Sequence, residues 1–174
     1  MDRFADCIAK GRLKKIEPDP EKVAGELRSA VGELERSRAR FRGGIWDEAT
    51  TLAYFALYRA SRAALLSKGF MDTNLYGLCT GLEQLLIAPG ELPSEVVVQL
   101  REGKSIKDSV YSGGRSSRSE AQQMLGWALP VVRRVLTLLS LPDLDPSKVD
   151  PELPEPRVRP HGDRRPPEED PSPR

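Results

Sequence analysis

Between Gln99 and Arg118 the chain places Arg101, Lys104, Lys107, Arg115 and Arg118 against two acids, Glu102 and Asp108, with Tyr111 among them. Guanidinium and ammonium groups at that density can hold the oxygens of a phosphate. Lys104 and Lys107 are one helical turn apart and share a face. Gly113-Gly114, directly before Arg115, can turn backbone N–H groups toward an anion. An RNA- or nucleotide-phosphate site is the functional reading, and a solvated polar helix end with a flexible turn is the plainer one. A second set lies upstream. Tyr54, Tyr58 and Arg62 fall at i, i+4 and i+8 of one helical stripe, with Arg59 beside them, and can line a groove. Charge on an apolar helix is costly unless paired, so internal pairing with Glu48, Glu83 or a dimer mate competes with the groove.

Acid–base chemistry near neutral pH is poorly provided for. The one histidine, His161, lies in a proline-rich stretch where a solvated side chain is expected. Cys7 and Cys79 have neither zinc-ligand nor CxxC spacing, and Cys79 reads as a buried free thiol. The sequence predicts no metal site and no cofactor.

Helices must position these groups, because apolar residues recur at helical spacing almost throughout. A short first helix is predicted over about 2–15, with Phe4, Cys7, Ile8 and Leu13 apolar. Asp19-Pro20 starts the second, whose stripe is Val23, Leu27, Val31, Leu34 and Phe41, and Gly43-Gly44 ends it. Its remaining faces are rich in Arg and Glu, which puts it on the outside of the bundle. The third, about 45–67, is apolar on most faces and therefore central. A fourth spans about 72–87 and a fifth starts near Pro93. Ser117-x-x-Glu120 is a capping box opening the last, in which Pro130 faces Gly126 one turn back and is expected to kink the helix without ending it. No strand is predicted. The fold class is all-α: an up-and-down bundle of about five core helices plus the short N-terminal one.

Ten of the fifteen prolines follow residue 141, and that stretch carries six basic against nine acidic residues. Such a composition cannot offset the entropy of ordering it. The predicted organisation is an N-terminal helix and linker over 1–18, the bundle over 19–141 and a proline-rich disordered tail over 142–174. Residues 1–141 hold 21 basic and 17 acidic groups, a mild positive bias well short of a strongly basic nucleic-acid binder. With no span of about 20 apolar residues and no apolar leader, no membrane partner and a cytoplasmic location are expected.

Three stretches, in order, resemble the HEPN family of small prokaryotic helical-bundle proteins, often paired with minimal nucleotidyltransferases. The first is Lys10-Gly11-Arg12-Leu13-Lys14-Lys15-Ile16 with the charged helix after it. The second runs from Trp46-Asp47-Glu48-Ala49 through Ala53-Tyr54-Phe55-Ala56-Leu57-Tyr58-Arg59-Ala60 to Leu65-Leu66-Ser67-Lys68-Gly69. The third is Asp108-Ser109-Val110-Tyr111, a loop, then Ser119-Glu120-Ala121 and the last helix. Members that cleave RNA use an Arg-x4–6-His motif in which histidine moves the proton and arginine holds the phosphate. Here Arg101 has no histidine after it, and Arg157 precedes His161 by only three intervening residues. Registering Tyr111 on the family's Asp-Tyr pair leaves Val110 at the aspartate, with Asp108 as a substitute. The family's Lys-Ser-His segment is replaced by Thr73-Asn74-Leu75-Tyr76. The resemblance thus implies a homodimer without catalytic residues, binding RNA, a nucleotide or a nucleotidyltransferase in a toxin–antitoxin-like or defence system. A divergent metal-independent ribonuclease using Arg101, Lys104, Lys107 and Tyr111 is the alternative, and a purely structural interaction module is a third.

Overall fold

The protein is described from a computed structural model over residues 2–156. In these residues lie helices α1 (Arg3–Ala9), α2 (Pro20–Arg42), α3 (Trp46–Ser67), α4 (Leu75–Leu82), α5 (Glu95–Tyr111) and α6 (Arg118–Leu139). The fold is all-α but for two three-residue strands, β1 (Leu13–Lys15) and β2 (Phe70–Asp72). No helix among the described residues is long and apolar enough to cross a membrane.

Most helix ends follow their sequence signals. Asp19 accepts a hydrogen bond from the Lys22 amide with Pro20 in the first turn, and Gly43-Gly44 closes α2. Ser117 and Glu120 form both hydrogen bonds of the capping box, and Pro130 sits inside α6 without ending it. α3 is the central helix, packed most extensively on α2 and α6 and less on α5 and α4. Its Ala49, Ala53, Ala56, Ala60, Ala63 and Ala64 are all fully buried. Side chains this small let neighbouring backbones approach, while Leu57 and Leu65 fill the space between.

The chain departs from the sequence expectation at four places. The first helix stops at Ala9, and Leu13, expected on it, begins β1. This strand pairs antiparallel with β2, Leu13 opposite Asp72 and Lys15 opposite Phe70. Strands of three residues leave no period-two pattern to detect, which is why none was predicted. Gly77 secures the junction, since a Cβ there would lie 2.1 Å from the Arg12 carbonyl oxygen. The fourth helix, expected over about 72–87, starts later, after β2, and its last turn (Glu83–Ile87) loosens into π geometry. Third, α2 is not merely an outer helix, because Glu33, Ser37 and Arg38 are buried with its apolar stripe.

The fourth difference concerns residues 142–156, expected to be disordered. They form a strap against the bundle, with a single 3₁₀ turn at Pro146–Lys148. Val149 is buried in the core, Leu144 packs against it, and Pro154 is buried further along. The boundary expected at 141 therefore moves to at least 156. Composition misleads here because a few apolar side chains and well-placed carboxylates suffice when the groove receiving them is already built. Residues 157–174, His161 among them, lie outside the described residues.

Candidate functional site

α5 carries most of the sequence-predicted cluster, and its approach to the bundle is set by Gly103. A Cβ there would lie 3.0 Å from the Tyr54 ring and 3.1 Å from the Met124 sulfur. That contact brings Lys107 over α3. Its ammonium lies 5.4 Å from the centre of the Tyr54 ring, 5.8 Å from Phe55 and 5.2 Å from Tyr111. It is also 2.7 Å from the Asp108 carboxylate, which Lys104 contacts from the preceding turn. Hydrogen bonds from Lys104 and then Lys107 hold the Asp108 carboxyl below its ordinary range. Lys104, Lys107, Asp108 and Tyr111 thus form one group with Tyr54 and Phe55.

The other basic residues are dispersed. Arg101 is 3.8 Å from Glu83, which also pairs with Arg3. Burial pushes the Cys79 thiol up, and Arg101 nearby partly opposes that. Arg118 faces Glu155 of the strap at 3.8 Å, and Arg115 is exposed on the connecting loop. The Gly113-Gly114 anion cradle is not formed. Those two amides donate to the Val110 and Ser109 carbonyls, closing α5, so they are already engaged.

The proposed tyrosine–arginine groove divides in two. Tyr54 is 4% exposed and belongs to the core, where burial raises its hydroxyl well above the ordinary range. Tyr58, Arg59 and Arg62 lie on a half-exposed stripe of α3 that also carries Thr51, Leu52 and Phe55. The two arginines are paired within the chain, but not with Glu48 or Glu83. Arg59 bonds Glu33 at 3.0 Å and Glu26 at 3.3 Å, and Arg62 stands 3.2 Å from Asp72. Tyr58 donates to Asp72 at 2.9 Å, and burial followed by that neighbour pushes its hydroxyl up to about 12. Desolvation raises Glu33 despite Arg59, so this network links α2, α3 and β2 at a cost in buried charge.

Beside Tyr111 lies a cleft of about 450 Å³ lined by Asp47, Glu48, Thr51, Leu52, Val110 and Tyr111. Both carboxylates are engaged: Asp47 accepts from the Ser116 amide, and Glu48 is 2.8 Å from Arg40. Among the described residues no cluster of metal-ligating side chains is gathered, and both cysteines are free and buried.

Sequence reasoning missed Arg38, a charged side chain buried in the core at 2% exposure. Its guanidinium donates to the Asp150 carboxylate at 2.8 Å and to the carbonyl of the same residue at 3.1 Å. A signal was available. Arg38 falls between Leu34 and Phe41 at inward helical spacing, where a charge needs a partner. That partner could not be found by periodicity, since it lies 112 residues away.

Chemically, the α5 group offers cations already shared with a carboxylate and aromatic faces. The positions five to seven after Arg101 are Ile106, Lys107 and Asp108, and no imidazole stands near it among the described residues. Comparison with known proteins returns no matching family model and no matching characterised sequence.

Proposed function

We propose that the chain is a non-catalytic HEPN-like protein that acts by binding a partner: RNA, a nucleotide or a nucleotidyltransferase, as a homodimer within a toxin–antitoxin-like or defence system. One observation carries the non-catalytic part of this reading. Where a histidine would follow Arg101, the chain has Ile106, Lys107 and Asp108, and Lys107 is engaged by three rings and a carboxylate. The one carboxylate there, Asp108, is shared by two ammonium groups that lower its proton affinity, which makes it a poor base for a ribose 2′-hydroxyl. The central alanine-rich α3, flanked by α2 and α6 with α5 laid across it, supports the resemblance on which the partner classes rest.

The half-exposed stripe of α3 and the exposed Tyr111 ring, 67% accessible, are the surfaces this reading assigns to the partner. Labelled single-stranded RNA incubated with the purified chain is expected to remain intact. Binding that weakens steeply with added salt identifies the ligand as RNA. Intact RNA without binding turns the reading toward a protein partner. Cleavage abolished by Lys107→Ala overturns the non-catalytic reading in favour of a histidine-free ribonuclease.

A further inference from the structure

α3 is the central helix, yet one of its faces stays uncovered. α2 lies along one side of that face, where Arg40 reaches Glu48 and Glu33 reaches Arg59. α5 lies along the other side, where Lys107 stands over Phe55. Between them Glu48, Leu52, Phe55, Arg59 and Arg62 follow one another at alternating steps of four and three residues, with Thr51 and Tyr58 beside them. That spacing is the seam of a two-helix pair. Glu48 is exposed and the other six are half-exposed. A helix this apolar on its remaining faces is expected to be covered on all of them, so Leu52, Phe55 and Tyr58 in one open row mark a contact surface.

The order of residues along this seam is its own complement. Phe55 lies seven positions from both Glu48 and Arg62, four from both Thr51 and Arg59, and three from both Leu52 and Tyr58. Laid antiparallel on a copy of itself with Phe55 on a two-fold axis, the seam sets Phe55 on Phe55 and Leu52 against Tyr58. The same operation sets Glu48 against Arg62, and each unlike pair occurs twice. A parallel arrangement puts Glu48 on Glu48 and Arg62 on Arg62 instead. Both end groups retain capacity for a new partner. Glu48 meets a single counter-charge, Arg40, through Oε2. Arg62 donates no hydrogen bond among the described residues: its Nε stands by Asp72 without suitable geometry, and its Nη1 is 3.9 Å from Glu26.

We propose that this face of α3 docks the same face of a second copy of the chain, as an antiparallel two-fold pair centred on Phe55. The charge pattern selects this occupant, because a polyanion matches the Arg62 end alone and a second copy matches both ends. The cleft beside Tyr111 continues the seam sideways, since Thr51 and Leu52 line both. The partner's Arg59, opposite Thr51, reaches the mouth of that cleft, where Glu48 offers a carboxylate and Tyr111 an exposed ring. The proposal rests on the reading above only in giving the α3 stripe to a partner, and it takes that partner to be the chain itself.

Light scattering of the unaltered full chain at about 100 μM is expected to give twice the chain mass, and a monomer there overturns the proposal. Glu48→Arg sets guanidinium against guanidinium at both ends of the seam and should raise the dissociation constant at least about tenfold. An unchanged constant overturns the antiparallel pairing. Cross-linking gives a second readout that does not depend on these affinities. Both native cysteines are buried, so a cysteine placed on the seam is the accessible thiol. Under mild oxidation Phe55→Cys chains should form disulfide-linked pairs, because the two-fold axis brings position 55 onto itself. Glu48→Cys chains should not, since antiparallel copies of position 48 stand about 21 Å apart along the helices. Linkage through Glu48→Cys indicates a parallel or unspecific pair, and a dimeric mass with linkage through neither position puts the dimer on another face. Either outcome overturns the proposal. A failed dimer leaves the α5 group and the non-catalytic reading standing, just as RNA cleavage would leave the dimer standing.

Discussion

The basic surface of α5 and the strap-filled groove of α2 and α6 both match cations with carboxylates, yet they differ in what surrounds the charges. On α5, Lys104 and Asp108 are about half exposed and lie one helical turn apart. In the groove, Arg38 has 2% of its side chain accessible and meets its carboxylate across 112 residues of chain. Water screens the first pair and serves either member once the other is gone. For Arg38 nothing but Asp150 is at hand, so the second pair ties a distant segment to the core. A dense local cluster of charges is thus the weaker structural statement, and one arginine in an apolar stripe the stronger.

The largest effect that tests this contrast is on Asp150. Asp150→Ala is expected to lower unfolding stability by about 2–4 kcal/mol, somewhat less than the roughly 3–5 kcal/mol of a fully buried broken pair because Asp150 itself is half exposed. Lys104→Ala should change it by no more than about 0.5 kcal/mol. Denaturant melts of the two variants check both, and equal losses would erase the distinction. A smaller loss, about 1–2 kcal/mol, is expected for Val149→Ala, which trims a 3% exposed side chain of the strap. If that substitution is silent, the strap is held by charge alone. The finest test is titration by NMR. A hydrogen bond from Arg28 holds Asp143 below its ordinary carboxyl range. Asp143 therefore favours the folded state above that ordinary range and loses the contribution as pH falls through its lower folded value. Arg28→Ala should remove most of the depression at Asp143. Lys104→Ala should leave part of it at Asp108, where Lys107 still bonds.

Much of the bundle was legible in the sequence because its helices announce themselves locally. Asp19-Pro20, Gly43-Gly44 and the Ser117–Glu120 box act within one turn of the residues they order, and the apolar stripes repeat every three or four positions. What was not legible is non-local or depends on context. The β1–β2 ladder joins positions 13–15 to 70–72, and no periodicity connects them. The strap reads as disordered because its composition was weighed without the groove that receives it. The site residues divide in the same way. Lys104, Lys107, Asp108 and Tyr111 do gather, as one helix face must, whereas Arg101, Arg115 and Arg118 turn to separate surroundings. The partners of Arg59 and Arg62, namely Glu26, Glu33 and Asp72, come from elements whose packing the sequence does not state.

The pairing of Arg38 with Asp150 also orders events in time. A ribosome adding roughly 5–20 residues per second delivers Asp150 some 6–22 s after Arg38. During that interval every helix from α2 to α6 is made while one guanidinium inside them still lacks its counter-charge. The nascent bundle must keep water at Arg38 until the strap arrives. The closing of that pair is therefore tied to the passage of residue 150, after the last of these helices has been made.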